Sequence, residues 1–180
     1  WQGPGIRRQR LQGGHGMVRR FRRARKRRFA YRRAKGWKGK FWSGIRNLHN
    51  VGQAIGRTRK RRPNKSFTVR SLSYKSTGGN WKGLDRRFRD NFVASFTTRV
   101  AIKRNGWYTF FTTSDDGSKL WVNNRQVVNN DGLHGMRTRS GRMYLRRGFA
   151  NVKVVMFEHG GHAGLVVDWQ GPGFRRQRLQ

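Results

Sequence analysis

Between residues 66 and 173 the apolar side chains recur with a period of two, and this pattern restricts the possible folds more than any other feature of the chain. The segments FTVRSLS (67–73), FVASFTTRV (92–100), GWYTFFTTS (106–114), SKLWVN (118–123), RQVV (125–128), RMYL (142–145), NVKVVMFEH (151–159) and AGLVVDW (163–169) are rich in β-branched and aromatic residues. Such runs read as strands with one face turned to a core. Turn-forming pairs separate them: Asn105-Gly106, Asp116-Gly117, Asn123-Asn124, Arg147-Gly148 and Gly160-Gly161. Short strands at this spacing, with no helices between them, predict an antiparallel sandwich or barrel rather than a parallel sheet. Cysteine is absent, so neither disulfides nor thiolate metal sites contribute. No apolar run reaches the ~20 residues of a membrane-spanning helix, and no membrane partner is expected.

Charge divides the chain. The net charge is +36, from 43 Lys and Arg against 7 Asp and Glu. Residues 1–70 hold 24 of the cations and no acid, and the first acidic residue is Asp85. A compact body carrying this charge alone would repel itself, so the composition calls for a polyanionic partner. Residues 1–65 therefore read as a basic, partly helical arm, 66–173 as the β domain and 174–180 as a short basic tail. Within the arm, residues 17–35 have helix-forming composition, but arginines cover every face and would repel one another without phosphates between them. Phe41, Ile45, Leu48, Val51 and Ile55 follow helical spacing, which predicts a short amphipathic helix with Ser43 as its N-cap.

The arm points first to RNA. Arginine outnumbers lysine 32 to 11, and guanidinium groups bind phosphate bidentately and stack on bases. Candidate RNA contacts are Arg19, Arg20, Arg22, Arg23, Arg25, Lys26, Arg27, Arg28, Arg32, Arg33, Lys35, Lys38, Lys40, Arg57, Arg59, Lys60, Arg61 and Arg62. Phe29, Tyr31 and Trp37, interleaved with them, are candidates for stacking on unpaired bases. The expected function is a structural RNA-binding protein, a subunit of an organellar, mitochondrial ribosome. Its partners would be rRNA and neighbouring ribosomal proteins, and no catalysis is expected. A nuclear DNA-compacting protein and an extracellular adhesin are the alternatives.

The order of signals in the body is more specific. Gly106-x-Tyr108-x-Phe110, Ser114-Asp-Asp-Gly-Ser-x-Leu120, the run Val122 to Val128, Leu145-x-x-Gly148 and the closing Leu165-x-x-x-Trp169-x-Gly-Pro-Gly173 together resemble the PA14 domain family. The resemblance implies a PA14-like β-sandwich or barrel over roughly residues 66–173. It also bears on a repeat: WQGPGIRRQRLQ (1–12) returns as WQGPGFRRQRLQ (169–180) with one change, Ile6 to Phe174. WQGPG closes such a domain, so residues 1–12 resemble the relic of a preceding copy in a tandem array. In sugar-binding members, paired aspartates at this motif coordinate Ca2+, which holds glycan hydroxyls. That resemblance makes Asp115 and Asp116 candidate Ca2+ ligands and defines the adhesin alternative, a Ca2+-dependent, glycan-binding or fibre-forming protein. The matching second loop, 158–164, offers Glu158 but otherwise His159 and His162, which are poor ligands for this hard cation. Aspartates at a tight turn also cap backbone N–H groups. The sequence favours that structural role, and no resident cofactor is expected.

Overall fold

The computed structural model describes residues 36–180. The expectations placed on residues 1–35 lie outside them: the repeat relic, the basic helix, the cations from Arg19 to Lys35, and Phe29 and Tyr31.

Among the described residues eleven strands form two antiparallel sheets, accompanied by one α-helix and one 3-10 turn. The strands are β1 (Trp37–Trp42), β2 (Lys65–Val69), β3 (Ser73–Thr77), β4 (Phe92–Ile102), β5 (Gly106–Asp115), β6 (Ser118–Val122), β7 (Arg125–Asn130), β8 (Arg137–Leu145), β9 (Gly148–Glu158), β10 (Ala163–Gly171) and β11 (Phe174–Arg178). The helix α1 spans Val51–Thr58, and the 3-10 turn spans Arg86–Phe88. One sheet runs β2-β1-β4-β9-β6-β7; the other runs β11-β10-β5-β8, with β3 also paired to β10. The all-β sandwich expected from the period-two pattern is the observed fold.

The longest ladder joins β4 to β9 without a slip, from Phe92 opposite Glu158 to Ile102 opposite Gly148. The inward faces bury an aromatic core. Tyr74 stacks on Trp81 at 4.1 Å between ring centroids, Phe41 stacks on Phe67 at 4.8 Å, and Phe92 meets Trp81 edge-on at 5.3 Å. Offset and edge-to-face pairs of this kind add to the stabilisation that area burial provides. Leu165 and Val167 are wholly buried, as their alternation predicts, while Trp169 is only half-buried, against Tyr108 and Phe174.

The sandwich begins earlier than residue 66. Strand β1 lies between β2 and β4, with Gly39 opposite both Phe67 and Phe96. A Cβ at Gly39 would come within 2.9 Å of the Phe41 and Phe96 rings, so the close packing there requires glycine. The expected helix over Phe41–Ile55 is correspondingly shorter. Phe41 and Trp42 are strand residues, and the N-cap is Asn50, not Ser43, its side chain accepting from the Gln53 N–H. Helix α1 and the segment before it cover one end of the six-stranded sheet's outer face, packing Trp42, Ile45, Leu48, Val51 and Ala54 on Val93, Val155 and Phe157. Among the described residues nothing covers the rest of that outer face. Residues 174–178 are likewise not a loose tail. They pair with β10, Arg176 and Arg178 both bind Asp168, at 2.9 and 2.7 Å, and Leu179 is fully buried.

Candidate functional site

Two regions of the sandwich gather polar side chains. The first is the turn between β5 and β6, where Asp115, Asp116 and Glu158 crowd together. The Asp115–Asp116 peptide bond is cis. Asp116 ties two loops to the turn: its Oδ1 accepts the His134 N–H at 3.0 Å, and its Oδ2 accepts the His159 N–H at 3.0 Å. Glu158 Oε2 accepts the Asp116 N–H at 3.2 Å, and the Ser76 hydroxyl donates to Asp115 Oδ2 at 3.3 Å. Glu158 is wholly buried and its Oε1 has no partner. Burial, then the charges of Asp116 and Asp115, push its carboxyl up to about 8. Burial and neighbouring Asp116 also raise Asp115, against the opposing effects of Ser76, His134 and His162.

This arrangement does not fit the Ca2+ ion that the family resemblance implies. Ca2+ takes six to eight oxygen ligands, whereas both oxygens of Asp116 are already committed to backbone N–H groups. The ring of His159 is held by its Nδ1 to the Leu48 carbonyl at 3.1 Å, and both ring nitrogens of His134 meet backbone carbonyls. Among the described residues no group of three or more His, Cys, Asp and Glu is placed to hold a metal ion.

The second region is the uncovered part of the six-stranded sheet. Along β4 the outward residues change from Val93, under α1, through Ser95 and Thr97 to Arg99; along β9 they change from Val155 to Lys153 and Asn151. The outward residues of β1 are Lys40 and Lys38. A depression of about 830 Å³ results, lined among others by Lys38, Thr68, Thr97, Arg99, Trp121, Asn124, Asn151 and Lys153. A second depression of about 400 Å³ adds Lys40, Arg59 and Arg61 and shares Lys38, Thr97 and Lys153 with the first, so the two form one trough. The Lys153 ammonium lies 5.8 Å from the Trp121 ring centroid, and the Arg99 guanidinium lies 4.2 Å from that of Phe149.

The structure thus redistributes the residues predicted to bind RNA. Trp37 is fully buried, with its Nε1 donating to the Leu179 carbonyl at 3.1 Å, and cannot stack on a base. Lys38 and Lys40 point outward into the trough beside Arg59 and Arg61. Arg57 at the end of α1 donates to the Arg46 carbonyl, while Lys60 and Arg62 are exposed beyond the helix. Trp121, Asn124, Asn151, Arg99 and Lys153 were not legible as a site, because only strand pairing brings them together. The one available signal was an outward row of cations on alternate strand positions.

The PA14 domain family model matches residues 85–177. The chain belongs to the PA14 domain family. No curated protein matches it. Among solved structures it is similar to a PA14 sugar-binding domain from an RTX adhesin, with 22% identity over 81% of this chain and 94% of that one and a TM-score of 0.68. It is also similar to the PA14 domain of an antifreeze protein, with 15% identity over 81% of this chain and 86% of that one and a TM-score of 0.65. The A domain of epithelial adhesin 9 from Candida glabrata, solved in complex with Galβ1-4GlcNAc, is 12% identical over 79% of this chain and 84% of that one, with a TM-score of 0.55. These findings overturn the expectation of an RNA-binding mitochondrial ribosomal subunit with rRNA and ribosomal proteins as partners. Those neighbours are adhesin and antifreeze-protein domains, others being anti-sigma factor domain-containing proteins, and the residues assigned to the arm from Trp37 onward are built into the same sandwich.

Proposed function

We propose that this chain is a carbohydrate-binding PA14 module that acts at a cell surface or outside the cell and holds glycan without turning it over. The observation that carries the reading is the open trough. Trp121 offers a flat apolar face to a sugar ring, and Thr68, Thr97, Asn124 and Asn151 offer hydroxyl and amide groups that both donate and accept hydrogen bonds. The similarity to a sugar-binding adhesin domain and to an adhesin domain in complex with a disaccharide supports the same reading. Among the described residues no acidic side chain lines either part of the trough, whereas glycoside hydrolysis in most families uses a carboxylate pair flanking the bond. Glycan-array binding followed by titration calorimetry is the test. Trp121→Ala should weaken sugar binding by roughly tenfold or more in a protein that near-ultraviolet circular dichroism shows to be folded. Undiminished binding by this variant removes the trough from the reading.

In this reading Asp115 and Asp116 are loop clamps. Calorimetry with Ca2+ should show no binding tighter than about millimolar, the weak end of protein Ca2+ sites. Micromolar binding that disappears in Asp116→Asn would make the turn the sugar site instead.

A further inference from the structure

The trough has an electrostatic sign that a neutral glycan does not need. Six cations border it: Lys38, Lys40, Arg59, Arg61, Arg99 and Lys153. Among the described residues none of the six forms an ion pair with a carboxylate. The acids of the chain lie elsewhere, at positions 85, 90, 115, 116, 131, 158 and 168, and none lines the trough. Exposed cations held this close together without counter-charges repel one another unless an anion joins them. The chain's own residues 1–35 are not that anion, since they contain 14 Lys and Arg and no acid.

We infer that the trough binds a polyanionic polysaccharide, a sugar chain bearing carboxylate or sulfate groups, along the outer face of the six-stranded sheet. The inference rests on the carbohydrate-binding reading and adds the charge of the ligand to it. Two features favour a sugar chain over a nucleic acid. Among the described residues Trp121 is the only aromatic side chain lining the wider part of the trough, whereas single-stranded nucleic acids are held on several aromatic platforms that stack successive bases. Between the cations stand hydroxyl and amide side chains, Thr68, Thr97, Asn124 and Asn151. These match a ligand dense in hydroxyls, which both donate and accept. The shared part of the trough, at Lys38, Thr97 and Lys153, places two ammonium groups and a hydroxyl where the two depressions meet, so a chain longer than one sugar would pass between them.

The experiment titrates the full chain with polygalacturonate (carboxylate), heparin (sulfate) and neutral dextran, and with single-stranded and duplex DNA as competitors, at several salt concentrations. Lys38→Gln/Lys153→Gln removes two trough charges. Arg139→Gln/Arg146→Gln removes two from elsewhere on the surface and controls for net charge. Thr97→Glu places an acid on the exposed trough floor, and near-ultraviolet circular dichroism verifies that each variant is folded. The expected result is affinity for at least one acidic polymer that falls roughly tenfold in Lys38→Gln/Lys153→Gln, falls further in Thr97→Glu, and falls less than about twofold in the control. If polygalacturonate alone or heparin alone shows this dependence, the anionic group is identified. Equal losses in the trough and control variants would overturn the inference in favour of diffuse charge attraction. DNA binding as tight as that of the acidic sugars, with the same dependence on Lys38 and Lys153, would overturn it in favour of a nucleic acid. Binding of dextran alone, sensitive to Trp121→Ala and insensitive to the lysines, would keep the carbohydrate reading and sink this one. Binding of no sugar at all would sink both.

Discussion

Trp37→Ala is expected to cost about 3–5 kcal/mol of folding stability, the range for a large aromatic removed from a core. That is a large share of the ~5–15 kcal/mol that holds a typical domain together. Trp37 is fully buried in the main core cluster, and its indole satisfies the Leu179 carbonyl 142 residues away in the chain. The cavity and the orphaned carbonyl therefore add. Trp37→Phe keeps one aromatic ring but loses the N–H and the volume of the second ring, so its loss should be smaller than that of Trp37→Ala, about 2 kcal/mol. Lys38→Ala, one residue away and exposed, should change stability by less than about 0.5 kcal/mol. Urea melts of the three variants rank these losses. A Trp37→Ala protein as stable as Lys38→Ala would show that β1 is not part of the folded unit.

Stability should also fall as pH rises from about 4.5 to about 8, and Glu158 is the reason. In the unfolded chain this carboxyl ionises near its ordinary value of 4.5; in the folded protein it holds its proton to about 8. Between those values the folded state binds a proton that the unfolded state has released, so the slope of stability against pH is negative. The contribution is fully present below pH 4.5 and is lost by about pH 8, with a total on the order of 5 kcal/mol. Glu158→Gln mimics the protonated side chain at every pH. It can still accept the Asp116 N–H, and its amide can donate towards the aspartates. The variant should melt higher than the parent at pH 8 and at nearly the same temperature at pH 4.5. Parallel melting curves for the two proteins across that window would show that Glu158 is charged in the folded state.

Strands with long, clean alternation were visible in the sequence, because each buries one face on its own evidence. The β4–β9 pair is the clearest case. Strand β1 carries the same signal in six residues: Trp37, Gly39 and Phe41 turn inward, and Lys38 and Lys40 turn outward. Its basic surroundings suggested an arm instead, and the helical spacing from Phe41 to Ile55 overlapped it. Two readings competed for Phe41 and Trp42, and tertiary pairing with β2 and β4 decided between them. At the candidate sites the limits were different. Asp115 and Asp116 stood out as a pair, but the backbone groups that occupy Asp116 belong to His134 and His159, which chain distance hides. The trough could not be read at all, because it joins residues from five strands, β1, β2, β4, β6 and β9, that are neighbours only in the finished sheet.

The contact between Trp37 and Leu179 has a mechanical meaning. The two ends of the sandwich meet at one corner, so tension applied through Gly36 and Gln180 enters and leaves the domain at nearly the same place. Strand β11 lies at an edge with β10 beside it, and its last paired residue, Arg178, lies opposite Asp168 close to that corner. Such a pull opens the β10–β11 ladder one rung at a time, in the manner of a zipper, and never loads several hydrogen bonds together. Buried Leu179, held by Val167 and Trp37, is the first latch it meets, and the Arg178 and Arg176 contacts with Asp168 are the next. Under such a pull the domain would yield by drawing Leu179 out of the core and peeling β11, while the long β4–β9 ladder carried no load.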